Sequence, residues 1–366
     1  MIVAENLVKE FKVHERKPGL LGSLGTLLSR EHRIVRAVSG VSFEIPKGVK
    51  AAYIGANGAG KSTTVKMLTG VMHPTSGRAL VDGVEPYKER RRTAAAMGVV
   101  FGQRSQLWWD LPVIDSFRIL RRIYEIPDAV YERNLALYRD RLDIDALGNT
   151  PVRQLSLGQR MRAEVAASLL HDPAVVFLDE PTVGLDLVLK EAVRELVNHV
   201  NAELGTTVML TSHDIGDITA ICDQVLVVSH GEVVHQGGMH ELLRTADTRA
   251  VVFEYHGGPS AERAVELVER ELPGVSARPA DGGRIRVDYP SDRWSARQVM
   301  GFLLDHFDLA DCVAPEPDLE TVLRRIYTAR VGSQGSPQAQ ETQETQRTQE
   351  TQETQPVPDV TEEVRA

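Results

Sequence analysis

Residues 55–63 read GANGAGKST. It fits the pattern G-x-x-x-x-G-K-[ST], in which glycines allow a loop to curl until successive backbone N–H groups point at phosphate oxygens. The strand pattern VKAAYI precedes it and the helical pattern KSTTVKMLTG follows it, which is the context that such a loop needs. The sequence therefore predicts an α/β fold with a nucleotide site in this loop. The loop residues expected to bind the nucleotide are Gly55, Ala56, Asn57, Gly58, Ala59, Gly60, Lys61, Ser62 and Thr63.

Two side chains of this loop, and two acids further along the chain, have specific parts in the predicted chemistry. Lys61 can reach the β- and γ-phosphates, and the Ser62 hydroxyl can coordinate Mg²⁺. In VVFLDE at 175–180, four apolar residues form a strand, and Asp179 and Glu180 stand at its C-terminal end. Ligands bind at that end of the strands in an open α/β sheet. We therefore expect Asp179 to hold Mg²⁺, directly or through water, and Glu180 to orient and polarise the attacking water.

The pattern of apolar runs divides the chain into three parts. Residues 1–236 alternate strand patterns, such as TTVMLTSH and QVLVVSHG, with helical patterns, which is typical of a mainly parallel sheet with helices on both faces. A helical insert is expected at about 104–170. Residues 237–330 predict a small α+β domain. Residues 331–366 form a Gln/Glu/Thr repeat with almost no apolar content and predict a disordered tail.

Composition and charge limit the possible classes of function. No run of about 18 apolar residues exists, so no segment is expected to span a membrane, and the N-terminus lacks the pattern of a secretory signal. The net charge is −9, and the seven acids and two bases of residues 331–366 contribute −5 of it, so no basic field points to nucleic acid. Cys222 and Cys312 lie far apart without the spacing of metal ligands, which indicates ordinary thiols in a reducing cytosol.

Four more motifs in the first part of the chain complete a family pattern. LSLGQ at 155–159, VVFLDEP at 175–181, VGLD at 183–186 and TSHD at 211–214 follow GANGAGKST in this order. The set resembles the ATPase subunit of an ABC transporter, and LSLGQ is close to the signature sequence of that family. The resemblance implies a P-loop NTPase with the ABC cassette fold, a mainly parallel sheet with a helical subdomain, that binds ATP and Mg²⁺.

LSLGQ offers a second group of phosphate-binding amides at the start of a helix. Ser156 has a hydroxyl, Gly158 permits close backbone approach, and the helix expected to start near Gln159 points its positive end at a phosphate. In ABC transporters two cassettes meet head to tail, so that the signature of one subunit binds the ATP held by the other. The resemblance therefore implies a homodimer, or pairing with a related ATPase subunit.

The resemblance also assigns roles to four further residues. Gln103 matches the Q-loop glutamine, which reaches Mg²⁺ and the attacking water, and Asp186 matches the residue that links the two ATP sites across the dimer. His213 would contact the γ-phosphate and support the water held by Glu180. Phe11 stands where an aromatic ring would stack on adenine, although it could instead belong to the core.

Two segments add to the family pattern. The insertion at 14–36 is longer than the usual short turn, and five leucines fall on one helical face of it with basic residues at its flanks. It could be a small self-packed flap, or it could contact a membrane subunit or anionic lipid. Trp108 and Trp109 follow the Q-loop, where the family docks its membrane partner, although core packing is equally plausible for one of them.

These features predict a cytoplasmic ATPase subunit that acts at the inner face of the membrane with a separately encoded permease. A single cassette followed by an α+β appendage resembles the ATPases of bacterial ABC-2-type exporters, which favours export. Two alternatives stay open: a soluble ABC-type ATPase of a non-transport process, and a regulatory module that binds ATP without turnover. The intact Glu180 and His213 argue against the second, and no nucleic acid is expected as a partner.

Overall fold

The computed structural model describes residues 1–14, 32–102, 105–244 and 246–315, together with positions 319, 322, 323 and 326. The strands and helices named below lie in the compact unit Met1–Val322. The strands in the described residues are β1 (Ile2–His14), β2 (His32–Ile45), β3 (Lys50–Gly55), β4 (Ser76–Val81), β5 (Met97–Phe101), β6 (Val175–Asp179), β7 (Thr207–Thr211), β8 (Gln224–Ser229), β9 (Glu232–Gly238), β10 (Thr248–Tyr255), β11 (Ser276–Pro279), β12 (Ile285–Pro290) and β13 (Leu309–Val313).

Helices connect most of these strands. In chain order they are α1 (Lys61–Leu68), α2 (Arg90–Ala96), α3 (Val113–Ile123), α4 (Asp128–Leu142), α5 (Leu157–Leu169), α6 (Leu187–Leu204), α7 (Ile215–Ile221), α8 (Met239–Arg244), α9 (Ala261–Glu271) and α10 (Ala296–His306). Both α5 and α10 begin with a capping box, in which a serine and a glutamine three residues later bond each other's backbone N–H. In the part of the chain that the structure describes, no helix has the length and apolar character needed to cross a membrane.

A six-stranded sheet forms the centre of the fold, in the order β5-β6-β7-β3-β8-β9. Neighbouring strands are parallel except at the edge, where β9 runs antiparallel to β8. The strand patterns VKAAYI, VVFLD, TTVMLT and QVLVV become β3, β6, β7 and β8. These strands read as continuous apolar runs because the sheet buries both of their faces, and β7 is buried at every position. The predicted α/β fold with a mainly parallel sheet is confirmed.

A second, antiparallel sheet of β2, β1 and β4 shares one apolar core with the central sheet. Ile2 and Leu7 of β1 and Phe177 of β6 are all fully buried in this core. Helix α1 contributes Met67 and Leu68 to the same core. The loop before α1 is therefore held between a buried strand and a buried helix.

The register of the central sheet brings several loops to one edge. Asp179 at the end of β6 pairs with Thr211 at the end of β7, and Gly55 at the end of β3 pairs with Val228 of β8. The loops that follow β3, β6 and β7 consequently leave the sheet on the same side. This carboxyl-terminal edge is where an open α/β sheet binds its ligands.

Three helices, α3, α4 and α5, lie between β5 and β6 in the chain. They correspond to the helical patterns within the insert predicted at about 104–170, but α5 begins at Leu157 with Ser156 as its cap, two residues before the expected start near Gln159. The serine accounts for the difference, because its side chain caps the helix end. The limits of a separate helical subdomain remain a prediction.

The strands and helices after residue 247 have their own sheet and core. Strands β10 to β13 form an antiparallel sheet in the order β11-β12-β10-β13, and the chain order is β-α-β-β-α-β, a ferredoxin-like arrangement. Phe253 of β10, Ile285 of β12 and Leu303 of α10 are buried in its core. These elements include the two strands and two helices expected there, while the domain boundary at 236/237 remains a prediction.

Three predicted segments lie wholly or partly outside the described residues. The insertion at 14–36 begins and ends within a long hairpin, because β1 continues to His14 and β2 starts at His32, and its leucine-rich middle is not described. Of the helix expected at 319–330, Leu319, Val322, Leu323 and Ile326 are helical. The tail at 331–366 lies outside the described residues, and its disorder remains a prediction.

Candidate active site

The predicted phosphate loop lies between β3 and α1 at the carboxyl-terminal edge of the central sheet. Gly58 and Gly60 have φ angles of 82° and 92°, in the left-handed region that glycine adopts without steric cost. A Cβ at Gly60 would also collide with the carbonyl of Ala37 in β2. Helix α1 begins directly after Gly60, so its first unpaired N–H groups face the loop. The loop has the backbone that phosphate binding requires.

Lys61 lies across this loop. Its Nζ donates hydrogen bonds to the carbonyl oxygens of Gly55 at 2.6 Å and Ala56 at 3.2 Å. Burial lowers the pKa of Lys61, and the negative charges of Glu180 and Asp179 oppose this shift. A bound phosphate would add negative charge beside the ammonium and would strengthen its charged form further.

Asp179 and Glu180 are held by the neighbouring strand β7. Thr211 Oγ1 donates to Asp179 Oδ1 at 2.5 Å, and the Glu180 N–H donates to the Thr211 carbonyl at 2.9 Å. Glu180 has a φ of 54°, a left-handed conformation that costs energy in a residue other than glycine. Thr211 belongs to the TSHD motif at the end of the strand beside β6, and that position is the sequence signal that could have indicated its role. Backbone strain that the surrounding structure maintains is typical of functional positions.

His213 lies beside Glu180, although 32 residues separate them in the sequence. The distance between His213 Nε2 and Glu180 Oε1 is 3.1 Å. Both side chains are partly open to solvent, with 55% of His213 and 36% of Glu180 exposed. The structure therefore places together the two residues to which the sequence analysis assigns the hydrolytic water.

A cavity of about 410 Å³ opens beside these residues. Its lining combines the phosphate loop helix, the strand ends and the signature helix: Ser62, Lys66, Val71, Phe101, Gly102, Leu157, Met161, Asp179, Glu180 and Val183. The Ser62 hydroxyl and the Asp179 carboxylate are oxygen donors of the kind that Mg²⁺ prefers, so this lining fits the expected ion. Gln103 lies outside the described residues, so its part at this site remains a prediction.

The signature residues form the start of α5. Ser156 Oγ accepts a hydrogen bond from the Gln159 N–H at 3.2 Å, and Gln159 Oε1 accepts one from the Ser156 N–H at 2.9 Å. Ser156 itself is exposed, so the positive end of α5 faces solvent. Gly158 is buried, and a Cβ there would approach the Gly184 carbonyl to 2.8 Å. The glycine is thus needed for packing within the chain as well as for close approach to a ligand.

Asp186 and Phe11, the remaining predicted nucleotide ligands, have clear places in the fold. Asp186 caps α6, since its Oδ1 accepts a hydrogen bond from the Leu189 N–H at 2.9 Å. Phe11 is partly exposed rather than buried in the core, and it pairs with Val35 of β2, two residues from the Ala37 carbonyl beside the phosphate loop. Among the described residues, neither side chain belongs to the lining of the cavity.

Glu164 is a carboxylate that the sequence analysis missed. It lies on α5, only 4% exposed, and accepts hydrogen bonds from the Ser105 hydroxyl and from the Gln106 N–H at 3.2 Å. The Gln106 side chain donates in turn to the Glu164 carbonyl at 3.0 Å. An acid inside the otherwise buried helical run MRAEVAASLL was the available signal. Glu164 therefore ties the segment after Gln103 to the signature helix.

We expect Glu164→Gln to change the pH dependence of stability. Burial raises the pKa of Glu164 above its ordinary 4.5, and the hydrogen bonds from Ser105 and Gln106 only partly oppose this. The folded protein therefore keeps a proton that the unfolded chain has released, so wild-type stability falls as pH rises from about 4.5 through the raised pKa. The variant is neutral throughout and lacks this loss. Thermal melting of both proteins between about pH 4 and pH 8 should show the variant gaining relative stability, and a pH-independent difference would contradict the assignment.

Comparison with known proteins agrees with this geometry. A family model described as "ABC transporter" matches residues 38–183. The ABC transporter ATP-binding protein NatA of Bacillus subtilis is 30% identical over 210 residues, covering 57% of this chain and 85% of that protein. The daunorubicin/doxorubicin resistance ATP-binding protein DrrA of Streptomyces peucetius is 28% identical over 291 residues, covering 78% and 86%. A methionine import ATP-binding protein of Caulobacter vibrioides is 31% identical over 256 residues, covering 68% and 72%.

A solved structure supports the fold. The dimeric, ADP- and phosphate-bound ATP-binding cassette MJ0796 superposes with a TM-score of 0.55 at 23% identity, covering 65% of this chain and 99% of that one. Fold and site together define the class of protein, a P-loop ATPase. More particularly, the chain belongs to the family of ABC transporter ATP-binding proteins, which bind and hydrolyse ATP. The solved cassette is a dimer, and the relatives are named as ATP-binding proteins of transporters or of drug resistance.

Proposed function

We propose that this chain is the ATPase subunit of an ABC-2-type exporter and that it hydrolyses MgATP at the cavity beside Glu180. The observation that supports this most is the convergence of Lys61, Asp179, Glu180 and His213 at one edge of the sheet. Lys61 and the N–H groups of the phosphate loop bind the phosphates, and the remaining residues from Gly55 to Thr63 give the loop its shape. Bound Mg²⁺ would neutralise charge on the β- and γ-phosphates.

In this proposal the Mg²⁺ ion would be held through oxygen atoms of Ser62, Asp179 and Gln103. Glu180 accepts a hydrogen bond from the attacking water and takes its proton as the water oxygen bonds to the γ-phosphorus, while the bond from that phosphorus to the β-phosphate oxygen breaks and ADP leaves. His213 contacts the γ-phosphate and, at 3.1 Å from Glu180, keeps that carboxylate aimed at the water. Phe11 stacks on the adenine.

The second half of each ATP site comes from another copy of the chain in a head-to-tail dimer. Two observations support this proposal. Ser156 leaves the positive end of α5 open to solvent. Large apolar side chains are also exposed on the adjoining segment: Leu157 is 45% exposed, Val183 47%, Leu187 76% and Val188 77%. A second copy would cover this apolar rim and would bring Ser156, Gly158, Gln159 and Asp186 to the partner's nucleotide. A related ATPase subunit could take the same place.

The membrane partner is proposed to dock at Trp108 and Trp109. The side chains of both are exposed, at 37% and 54%. Neither therefore belongs to the core, a possibility that the sequence left open for one of them. They follow Ser105 and Gln106, which are hydrogen-bonded to Glu164 of α5. A permease bound at this surface would therefore be linked to the signature helix through these bonds. Export is favoured because the match to the drug resistance protein DrrA covers 78% of this chain, against 68% for the methionine import relative. A cytoplasmic place on the inner face of the membrane belongs to the same proposal, and no part is assigned to nucleic acid.

Trp108→Ala combined with Trp109→Ala tests the proposed permease contact. Aromatic anchors in an interface each contribute on the order of 2 kcal/mol, or about 30-fold in affinity. The double variant should therefore lose most of its ATP-independent sedimentation with inside-out vesicles from the native host, while the ATPase rate of the isolated chain stays unchanged. Leu304→Ala, which removes another exposed apolar side chain, is the matched control. Equal sedimentation of the double variant and the control would contradict the docking site.

A further inference from the structure

Asp217 on α7 is a fully buried carboxylate without a part in the mechanism described so far. A buried charge persists only when it is paired and hydrogen-bonded. Its Oδ1 accepts a hydrogen bond from Arg194 Nε at 2.8 Å and forms an ion pair with Nη2 of the same guanidinium at 2.7 Å. Its Oδ2 accepts hydrogen bonds from two hydroxyls, those of Thr182 and of Ser212, the latter at 3.2 Å.

The two hydroxyls belong to the two segments that carry the hydrolytic pair. Thr182 follows Glu180 by two residues, and Ser212 immediately precedes His213. One carboxylate oxygen of Asp217 therefore bonds to both segments that carry the hydrolytic pair. Thr182 is 2% exposed and Ser212 is 7% exposed, so water does not readily replace either bond.

Neighbouring charges fix this carboxylate against α6. Arg194 also lies 3.2 Å from Glu191 and 3.8 Å from Asp214. Asp214 follows His213, caps α7 and contacts Lys190 at 2.5 Å. The hydrogen bond from Lys190 holds the pKa of Asp214 below its ordinary value, so this acid is charged at neutral pH. The residues on both sides of His213 are thus anchored, one to Asp217 and the other to α6.

We infer that Asp217 is a positioning residue for ATP hydrolysis that sets the distance between Glu180 and His213. The inference rests on the function proposed for those two residues. Catalytic groups act within a narrow range of geometry, and a displacement of about 1 Å can reduce the rate about 10²-fold. Because the two hydroxyls share one oxygen, losing either one releases one segment from the common anchor. Removing both hydroxyls should then lower kcat little more than removing one of them.

A double-mutant cycle with Thr182→Val and Ser212→Ala tests this inference. These changes leave the Asp217–Arg194 pair in place, whereas Asp217→Asn would strip Arg194 of its buried partner and endanger the fold. Ser212→Ala also removes the oxygen that accepts the Asp214 N–H at 3.0 Å, so the double variant, and not this single variant alone, tests the shared anchor. We expect each single variant to lower kcat about 10- to 100-fold, with the ATP dissociation constant changed less than about twofold. The double variant should fall no more than about threefold below the worse single variant, because coupled sites are not additive.

Two matched controls remove the same chemical groups elsewhere. Thr206→Val deletes a buried hydroxyl that donates to the Pro173 carbonyl at 2.9 Å, and Ser168→Ala deletes one that donates to the Val165 carbonyl at 2.8 Å. Both should keep wild-type kcat even if their melting temperatures fall. A kcat loss in the controls equal to that in Thr182→Val and Ser212→Ala would overturn the inference, and so would additive losses in the cycle.

The same assays separate this inference from the proposed function. If Glu180→Gln hydrolyses ATP at the wild-type rate, the role of Glu180 is wrong and the positioning role fails with it. If Glu180→Gln is inactive as expected while Thr182→Val and Ser212→Ala keep wild-type kcat, the positioning role alone is overturned.

Discussion

Glu180→Gln should reduce ATP turnover about 10²- to 10⁴-fold while leaving ATP binding intact, because a lost general base typically costs this much. The glutamine keeps the size of the side chain and an oxygen that can accept a hydrogen bond from water. It lacks the charge that polarises the water and cannot take up its proton. Lys61, the loop glycines and the α5 cap are untouched, so the nucleotide should still be held.

Phosphate release and equilibrium ATP binding, measured on the same preparation, check this result. Size-exclusion chromatography should also show the variant shifting from monomer to dimer when ATP is added, since a ligand that binds only the closed dimer stabilises it by mass action. Glu203→Gln, an exposed acid near the end of α6, is the matched control and should turn over normally. Near-normal turnover in Glu180→Gln would show that another group activates the water.

Lys61→Ala and Ser156→Arg should each inactivate the protein, for different reasons. Lys61→Ala removes the charge-assisted contact to the β- and γ-phosphates in the chain's own cradle. Ser156→Arg places a long cation at the start of α5, where the partner's nucleotide is proposed to lie. It also removes the α5 cap, at a cost of about 0.5–2 kcal/mol of stability, so melting curves must show that this variant is folded at the assay temperature.

The sequence predicted the sheet and the phosphate loop well because their signals are local. A glycine-rich loop between an apolar strand and a helix leaves few alternatives, and strands buried on both faces read as unbroken apolar runs. The ends of β3, β6 and β7 could be placed at one edge because parallel strands put their carboxyl ends on the same side. Helix α5 starts at Leu157, two residues before Gln159, because Ser156 is also its cap, and such a shift is within the precision of a helix end read from sequence.

Contacts between distant segments could not be predicted in the same way. Glu164 and Ser105 are 59 residues apart, and Asp217 and Thr182 are 35 apart. Nothing in the local pattern around either acid shows whether it faces solvent or a buried hydroxyl. Solvent exposure could not be predicted either, because a pair of tryptophans occurs both in cores and on surfaces. The fold shows that Trp108 and Trp109 are both exposed.

Mixing the Lys61→Ala and Ser156→Arg chains tests most directly the central claim that two chains share each ATP site. In the mixed dimer one site loses both groups, and the other combines an intact Lys61 with an intact Ser156 from the partner. Random pairing at equal amounts makes about half of the dimers mixed, so ATPase activity should recover to about a quarter of the wild-type value if one intact site suffices. Activity that stays at the level of the two inactive parents at every mixing ratio, with mixed dimers demonstrated, would contradict the shared site.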